Sequence, residues 1–275
     1  LGAAKYLAET RNFDGTAVVI FQPAEEGGGG GREMCADGMM ARWNIQEVYG
    51  MHNMPGLPVG EFAIRPGPFF AATDQFTIDI TGRGGHAAKP HETIDTTVVG
   101  AQMVLALQTI VSRNVDPLKN VVVSVTSFRS GSDAYNVIPQ TVQLRGTVRT
   151  LEAEMRSMAE ARIKAIAGQI AEAFGATAAV DYHKGYPVMV NHEAETLHAA
   201  AVAAAVAGKP VRDVPPLMGG EDFAYMLEER PGAYILVGNG NTAGVHHPAY
   251  DFDDNTIPAG SSWYAGMVEA RMPAA

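Results

Sequence analysis

The pattern of apolar residues changes twice along this chain of 275 residues, and the changes predict two kinds of domain. Residues 16–21 form a continuous apolar run rich in β-branched side chains, which is typical of a strand covered on both faces in a parallel sheet. Residues 75–81 instead alternate apolar and polar side chains, which predicts a strand with one solvated face. After Gly185 the first pattern returns. The sequence therefore predicts an α/β domain that is interrupted by a small α+β insert.

The order of the predicted elements gives the boundaries of the insert. Residues 74–185 have the predicted order β-α-β-β-α-β, which is that of a ferredoxin-like fold. Residues 1–73 and 186–275 are then two parts of one discontinuous α/β domain, for which we expect a mostly parallel sheet. A chain of this length agrees with two domains. A helix of the insert is expected to bury Val98, Leu105 and Val111.

Composition excludes several classes of partner. The chain has 30 acidic and 20 basic residues, a formal net charge of −10, and no cluster of lysine or arginine, so we expect no nucleic-acid partner. No apolar run approaches the ~20 residues that cross a bilayer, so we expect no membrane partner. The single cysteine, Cys35, cannot form an internal disulfide, which favours a reducing compartment and a cytoplasmic location.

Two adjacent carboxylates, Glu25 and Glu26, follow the apolar run at residues 16–21. Open α/β sheets place their sites beyond the carboxyl ends of strands. Neighbouring residues there point in different directions, so one carboxylate can bind a metal while the other transfers protons. The alternative interpretation is a solvated acidic turn.

Histidines follow two further predicted strands. His52 comes directly after the strand at residues 47–51, and His246 and His247 follow the strand at residues 233–237. A lone histidine is more often structural than a ligand, but Glu and His at three strand ends together favour a metal site. Imidazole and carboxylate ligands suit zinc, manganese or cobalt.

Other short motifs lack residues that nucleotide binding or nucleophilic catalysis would require. Residues 82–87 match G-x-G-x-x-A after a strand, but Pro90 interrupts the helix that a dinucleotide fold requires, and Gln102 stands where an acidic residue is needed. The glycine run at residues 27–31 lacks the Gly-Lys-Ser/Thr of a P-loop. There is no G-x-S-x-G elbow of a serine hydrolase. Cys35 lies within a predicted helix, where inert packing is favoured over a nucleophilic role.

Taken together, the motifs of this chain resemble those of the hippurate hydrolase and N-acyl-amino-acid amidohydrolase family, which belongs to the aminoacylase/carboxypeptidase group of two-metal hydrolases. The resemblance covers essentially the whole chain. The motifs that carry it are Gln22-Pro23-Ala24-Glu25-Glu26, Gly50-Met51-His52, Gly84-Gly85-His86-Ala87, Asn136-Val137-Ile138-Pro139, Gly219-Gly220-Glu221-Asp222-Phe223 and His246-His247-Pro248.

The resemblance implies a role for each of seven residues. It makes Glu25 the general base, and it makes Glu26, His52 and His246 metal ligands, with His247 as an alternative to His246. It implies that His86 steadies the tetrahedral oxyanion, reaching into the site of a partner subunit. It further implies that Asn136 and Arg149 clamp the carboxylate of the substrate. From the residues alone, Asn136 is also compatible with a turn and Arg149 with a surface ion pair.

The resemblance also implies a fold, a cofactor and a substrate. The fold is a metal-hydrolase catalytic α/β domain with a ferredoxin-like lid and dimerisation domain, the intact enzyme holds two divalent ions (Zn, Mn or Co), and the substrate is an N-acyl amino acid such as hippurate. In this family a His-Ala-Cys-Gly-His-Asp stretch precedes the helix that opens this chain and supplies two metal ligands. We therefore expect this piece, which lacks that N-terminal part, to hold one ion or none, with doubtful activity.

Two further interpretations remain open from the sequence. One is a non-catalytic scaffold that forms a homodimer through the insert. The other is a nucleotide-dependent oxidoreductase, which the failed fingerprints disfavour.

Overall fold

The computed structural model describes all residues from 1 to 275 and separates into two compact units. Unit 1 comprises Leu1–Phe69, Met189–Leu217 and Glu221–Ala275, and unit 2 comprises Phe70–Val188 and Met218–Gly220. The helices are α1 Gly2–Thr10, α2 Gly30–Ala36, α3 Met39–Arg42, α4 Thr96–Thr109, α5 Ala153–Ala173, α6 Glu193–Ala207, α7 Ala224–Glu229 and α8 Thr256–Arg271. The strands are β1 Val48–Met54, β2 Phe62–Ala63, β3 Gly67–Phe70, β4 Ala72–Thr81, β5 Gly85–His86, β6 Val121–Ser130, β7 Val137–Ile138, β8 Thr141–Thr150, β9 Thr177–Lys184, β10 Met189–Asn191 and β11 Gly232–Gly238.

The centre of unit 1 is a three-stranded sheet in the order β1-β11-β2. Strand β1 runs parallel to β11 along its whole length, and β2 pairs antiparallel with the other edge of β11. Every residue of β11 is buried, as expected for a central strand that is covered on both faces. Trp263 of α8 packs against this strand and donates its indole N–H to the carbonyl oxygen of Ala199 in α6, at 3.0 Å.

The prediction of a mostly parallel sheet is wrong. Strands β1 and β11 pair in parallel, whereas the pairs between β11 and β2 and throughout the four-stranded sheet of unit 2 are antiparallel. Residues 16–21, predicted to be a buried strand, form no strand at all. No other strand pairs with their backbone, so Val19 and Phe21 remain 49% and 68% exposed. All six residues of this run line a cavity of about 1090 Å³.

Unit 2 is built around a four-stranded antiparallel sheet in the order β6-β8-β4-β9. Its chain order is β4-α4-β6-β8-α5-β9, with the short β5–β7 pair extending from one end. The alternating residues Phe76, Ile78 and Ile80 of β4 point into a core shared with α4 and α5. This is the topology of a ferredoxin-like fold.

Helix α4 buries a different face from the one predicted. Val98, Leu105 and Val111 are 48%, 64% and 37% exposed. The large apolar residues that are buried are Val99, Met103 and Leu107 of α4 and Ile110 directly after its end, which recur at the spacing of one helical face. Because α4 is apolar on most sides, its pattern alone does not select the buried face.

None of the helices combines the length and the apolar character that a membrane-spanning helix requires.

The buried carboxylate of Asp74 binds several neighbouring residues at the end of the sheet where β4 begins. Asp74 is 1% exposed and accepts hydrogen bonds from Nε and Nη2 of Arg156, at 3.0 and 2.6 Å. The hydroxyl of Tyr182 and the backbone N–H of Gly185 donate to the same carboxylate, at 2.8 and 3.2 Å. A buried carboxylate with this many donors is electrostatically satisfied, so this corner of unit 2 is held in a single arrangement.

Candidate metal centre

The loop from Gln22 to Gly31 presents two neighbouring carboxylates in different environments. Glu25 is partly buried, whereas the side chain of Glu26 is 77% exposed. Ala24 adopts a positive φ of 56°, which turns the chain between Pro23 and Glu25. The loop then returns close to its start, because a Cβ at Gly30 would lie 1.8 Å from the carbonyl oxygen of Pro23. This turn separates the directions of the two carboxylates.

Asp222, which is distant from this loop in sequence, holds the loop through hydrogen bonds. Its carboxylate is fully buried and accepts hydrogen bonds from Gln22 Nε2 at 2.5 Å and from the backbone N–H of Gly31 at 2.9 Å. Its own backbone N–H donates to the carboxylate of Glu25. One residue therefore contacts the beginning, the middle and the end of the loop that carries Glu25 and Glu26.

Glu221, next to Asp222, is a second buried acid of the site. It is 4% exposed and accepts hydrogen bonds from the hydroxyl of Tyr234 at 2.5 Å and from the backbone N–H of Phe223 at 3.0 Å. Burial raises its pKa from the ordinary value, while these two hydrogen bonds lower it. Ligand oxygens of Glu25, Glu221 and Asp222 all lie within 4.8 Å of one another.

The sequence predicts no role for Glu221 or Asp222, although both lie in the motif Gly219-Gly220-Glu221-Asp222-Phe223. Their partners lie up to 200 positions away along the chain. The only signal for them is the run Gly219-Gly220-Glu221-Asp222 itself, in which two acids precede an apolar helix.

Mutual repulsion and burial act strongly on Glu25. The pKa of its carboxyl is raised to about 7, first by burial and then by the neighbouring charges of Glu221, Asp222 and Glu26. The hydrogen bond from the N–H of Asp222 acts in the opposite direction. A divalent cation among these carboxylates would oppose this effect by favouring their charged forms.

His52 lies near the end of β1, where its strand pairing with Leu236 fixes its position. Its Nδ1 is 2.6 Å from the carbonyl oxygen of Asn53. Because a carbonyl only accepts, Nδ1 is the donor, and Nε2 of a neutral ring keeps its lone pair for a ligand. The charge of His52 lowers the pKa of Glu221, so the two side chains belong to one electrostatic environment.

His246 lies in an exposed loop and has a positive φ of 66°. Its Nε2 is 3.8 Å from Oε2 of Glu26. Two atoms that bind one zinc ion at about 2.1 Å are at most about 4.2 Å apart, so this separation is compatible with a shared ion. The neighbouring His247 directs Nδ1 to the N–H of Ala249, at 3.0 Å. Tyr250 donates its hydroxyl to Asn53 Oδ1 at 2.7 Å and so ties the loop to the strand end that carries His52.

The predicted ligands Glu26, His52 and His246 are thus brought to one part of unit 1 but not into one tight cluster. Their ligand atoms do not all lie within 4.8 Å of one another, a condition that only Glu25, Glu221 and Asp222 meet. The donor set nevertheless has the composition that zinc, manganese or cobalt prefers, and the acids concentrate negative charge. We conclude that the residues present fit a divalent metal ion.

The two predicted residues His86 and Asn136 lie side by side in unit 2. His86 of β5 is paired with Val137 of β7, and the N–H of Ala87 donates to the carbonyl oxygen of Asn136 at 2.9 Å. The N–H of Ala88 donates to His86 Nδ1 at 3.0 Å. The proton of a neutral His86 ring is therefore on Nε2, which is free to act as a hydrogen-bond donor.

Arg149 lies at the opposite end of the same sheet. Thr141 pairs with Thr81 at one end of β4, and Arg149 pairs with Thr73 at the other. Eight steps along an extended strand span about 26 Å, and Asn136 lies beyond Thr141, further from Arg149. Asn136 and Arg149 of one chain are therefore too far apart to clamp one small carboxylate together.

Cys35 belongs to the packed interior near this site. It is 8% exposed, and burial raises the pKa of its thiol to about 11. A neutral buried thiol is a poor nucleophile, so the structure supports a packing role.

Comparison with known proteins gives consistent results. Residues 1–270 match the family described as Peptidase family M20/M25/M40. The chain is 42% identical over 258 residues to an N-acetyl-L-cysteine deacetylase of Bacillus subtilis, covering 94% of this chain and 61% of that protein. It is 36% identical over 267 residues to a hippurate hydrolase of Campylobacter jejuni, covering 96% of this chain and 69% of that protein.

A similar fold is found among solved structures. A Bacillus subtilis protein described as a dinuclear metal-binding peptidase of the M20 family aligns with a TM-score of 0.82 and 31% identity. The alignment covers 98% of this chain and 69% of that protein. The chain thus spans between 61% and 69% of the length of these three proteins.

The role of Asp222 in holding the loop gives a direct prediction. In Asp222→Asn an amide N–H₂ replaces one acceptor, so Gln22 or the Gly31 N–H loses its partner. We expect the free energy of unfolding to fall by about 2 kcal/mol in urea titrations and the Gly31 amide to exchange hydrogen faster. The exposed Asp213→Asn serves as the control and is expected to change neither. Unchanged Gly31 exchange in Asp222→Asn would show that the carboxylate does not hold the loop.

Proposed function

Because the chain belongs to Peptidase family M20/M25/M40, we propose that it carries the catalytic machinery of a metal-dependent amidohydrolase that cleaves the amide bond of N-acyl amino acids. The observation that carries this proposal is the loop with Glu25 and Glu26, held by Asp222 beside two histidines of unit 1. The names of the relatives support the substrate class, since they act on N-acetylcysteine and on hippurate.

In this proposal unit 1 binds the metal. Glu26, His52 and His246 would hold it, and the intact enzyme would bind two divalent ions, as the Bacillus subtilis dinuclear peptidase suggests. When bound, Zn, Mn or Co would lower the pKa of a coordinated water towards ~7 and polarise the substrate carbonyl.

Glu25 is the general base of the proposed reaction. It is beside Glu26 but points in another direction, and the N–H of Asp222 fixes its carboxylate. It would accept the proton of the attacking water and return it to the nitrogen of the leaving amine. The cavity that Glu25 and Glu26 line, bounded by Tyr234 and Tyr264, gives the acyl group an apolar surrounding.

Unit 2 serves as the lid and dimerisation domain in this proposal. Because His86 and Asn136 are about 26 Å or more from Arg149 in one chain, we assign them to different sites of a homodimer. Arg149 binds the carboxylate of the substrate, while His86 of a second subunit donates Nε2–H to the developing oxyanion. Edge strand β6, with Val122 and Phe128 exposed, offers a surface for pairing. The single cysteine supports a cytoplasmic location.

Replacement of the base tests the catalytic assignment. We expect Glu25→Gln to bind zinc or manganese like the unsubstituted protein but to lose kcat by about 100-fold or more, because no group takes the proton. The control is Glu33→Gln, an exposed acid of α2, which is expected to keep full activity. A near-normal kcat in Glu25→Gln would remove Glu25 from the mechanism.

Replacement of the arginine tests the substrate assignment. We expect Arg149→Ala to raise KM for hippurate by about 30-fold or more, because a charge-assisted hydrogen-bond pair is lost, and to leave KM for hippuramide unchanged. Arg145→Ala, an exposed arginine of the same strand, is the matched control. If hippurate and hippuramide were affected equally, Arg149 would not be the carboxylate-binding residue.

A further inference from the structure

The guanidinium of Arg149 is held from one side only. Its Nη1 donates to Oγ1 of Thr147 and to the carbonyl oxygen of Val148, the latter at 3.0 Å. The side chain is partly buried, and no carboxylate lies within ion-pair distance of it. Burial accordingly lowers the pKa of Arg149 from its ordinary value, and only the more distant charge of Asp74 raises it. The Nε–Nη2 edge of the guanidinium therefore has no partner within the protein.

The hydroxyl of Thr147 can only accept from Arg149. Thr147 Oγ1 donates its single proton to the backbone carbonyl oxygen of Asp74, at 3.0 Å. The remaining lone pairs face Nη1 of Arg149. Thr147 and Arg149 are two positions apart in β8, so their side chains are on the same face of the sheet.

The carbonyl that orients Thr147 belongs to Asp74, whose carboxylate is buried and hydrogen-bonded. Asp74 is 1% exposed and is bound by Arg156, Tyr182 and the N–H of Gly185. The chain of contacts from this buried carboxylate through the Thr147 hydroxyl to Nη1 leaves the arginine little rotational freedom. An arginine fixed at Nη1 presents its Nε–Nη2 edge, which matches the two oxygens of a planar carboxylate.

We propose that Thr147 is a positioning residue that fixes the Arg149 guanidinium with its Nε–Nη2 edge towards the substrate carboxylate, and so contributes to selection of free-acid substrates. This inference rests on the proposed function of Arg149. It adds a second determinant of specificity, which acts on the orientation of the arginine and not on the substrate itself.

Three variants of Thr147 separate positioning from packing. Thr147→Val keeps the size and branching of the side chain but removes the hydroxyl, and Thr147→Ala removes both. In each we expect KM for hippurate to rise about tenfold, with kcat unchanged and with KM for hippuramide unchanged, because the arginine must be ordered on binding. Thr147→Ser retains the hydroxyl and is expected to restore the KM of the unsubstituted protein.

A binding experiment provides a readout that does not depend on turnover. Hippurate and hippuramide are titrated into ¹⁵N-labelled protein while the arginine Nε–H signals are followed by NMR. We expect one signal, absent from Arg149→Ala, to shift with hippurate only, and its apparent Kd to rise about tenfold in Thr147→Val and Thr147→Ala but not in Thr147→Ser. In the Arg149→Ala background, Thr147→Val is expected to have no further effect.

The outcomes distinguish this inference from the function on which it rests. If Arg149→Ala leaves the preference for hippurate over hippuramide intact, the proposed carboxylate-binding role fails and the inference fails with it. If Arg149→Ala abolishes the preference but Thr147→Val and Thr147→Ala keep it, only the positioning role of Thr147 is overturned. If Thr147→Val proves unstable in thermal unfolding, Thr147→Ala and Thr147→Ser decide the question.

Discussion

The carboxylate of Asp222 holds both ends of the loop that carries Glu25 and Glu26. It is fully buried, and its two oxygens accept from Gln22 and from the N–H of Gly31. Because the same residue donates its backbone N–H to Glu25, the position of the candidate base depends directly on this one residue. The proposed roles of Glu25 as base and Glu26 as metal ligand require that the two carboxylates point in different directions. A loop that is held at both ends keeps these directions apart, whereas a mobile loop would not.

The second constraint is an excess of negative charge. Glu221 and Asp222 are buried, and their carboxylates accept hydrogen bonds from neutral donors: a tyrosine hydroxyl, a glutamine amide and two backbone N–H groups. Such donors satisfy the carboxylates without neutralising them. Together with Glu25 and Glu26 they create an electronegative region beside His52 and His246. This electrostatic arrangement, more than any single distance, makes unit 1 suited to a divalent cation.

Local patterns of apolar residues predicted most of the helices and strands, but not which neighbours each one packs against. Strands β1, β4, β8 and β11 can each be predicted from their own residues, which form an apolar run or alternate apolar and polar side chains. The run at residues 16–21 has the same apolar character, yet it forms no strand, because a strand also needs a neighbour to accept its hydrogen bonds. Likewise, α4 is apolar on most sides, so only the packing of the sheet decides that Met103 rather than Leu105 is buried.

The candidate site was predictable to the extent that its residues occupy short motifs at strand ends. Glu25, Glu26, His52 and His246 carry such signals. The roles of Glu221 and Asp222 depend on contacts with residues far away in sequence, which no local pattern encodes. The separation of Asn136 from Arg149 also depends on the register of the sheet. The resemblance implies that both residues bind one carboxylate, but the pairing of β4 with β8 places them towards opposite ends of unit 2.

The proposed metal centre requires that Glu26, His52 and His246 bind a metal ion, and calorimetric titration with Zn²⁺ measures this directly. We predict that the protein binds the ion and that His246→Ala weakens binding by about 100-fold. We predict that His247→Ala leaves binding unchanged, because Nδ1 of His247 already accepts from the N–H of Ala249. Equal affinity in the unsubstituted protein and His246→Ala, or no binding by any of them, would contradict the proposed metal centre.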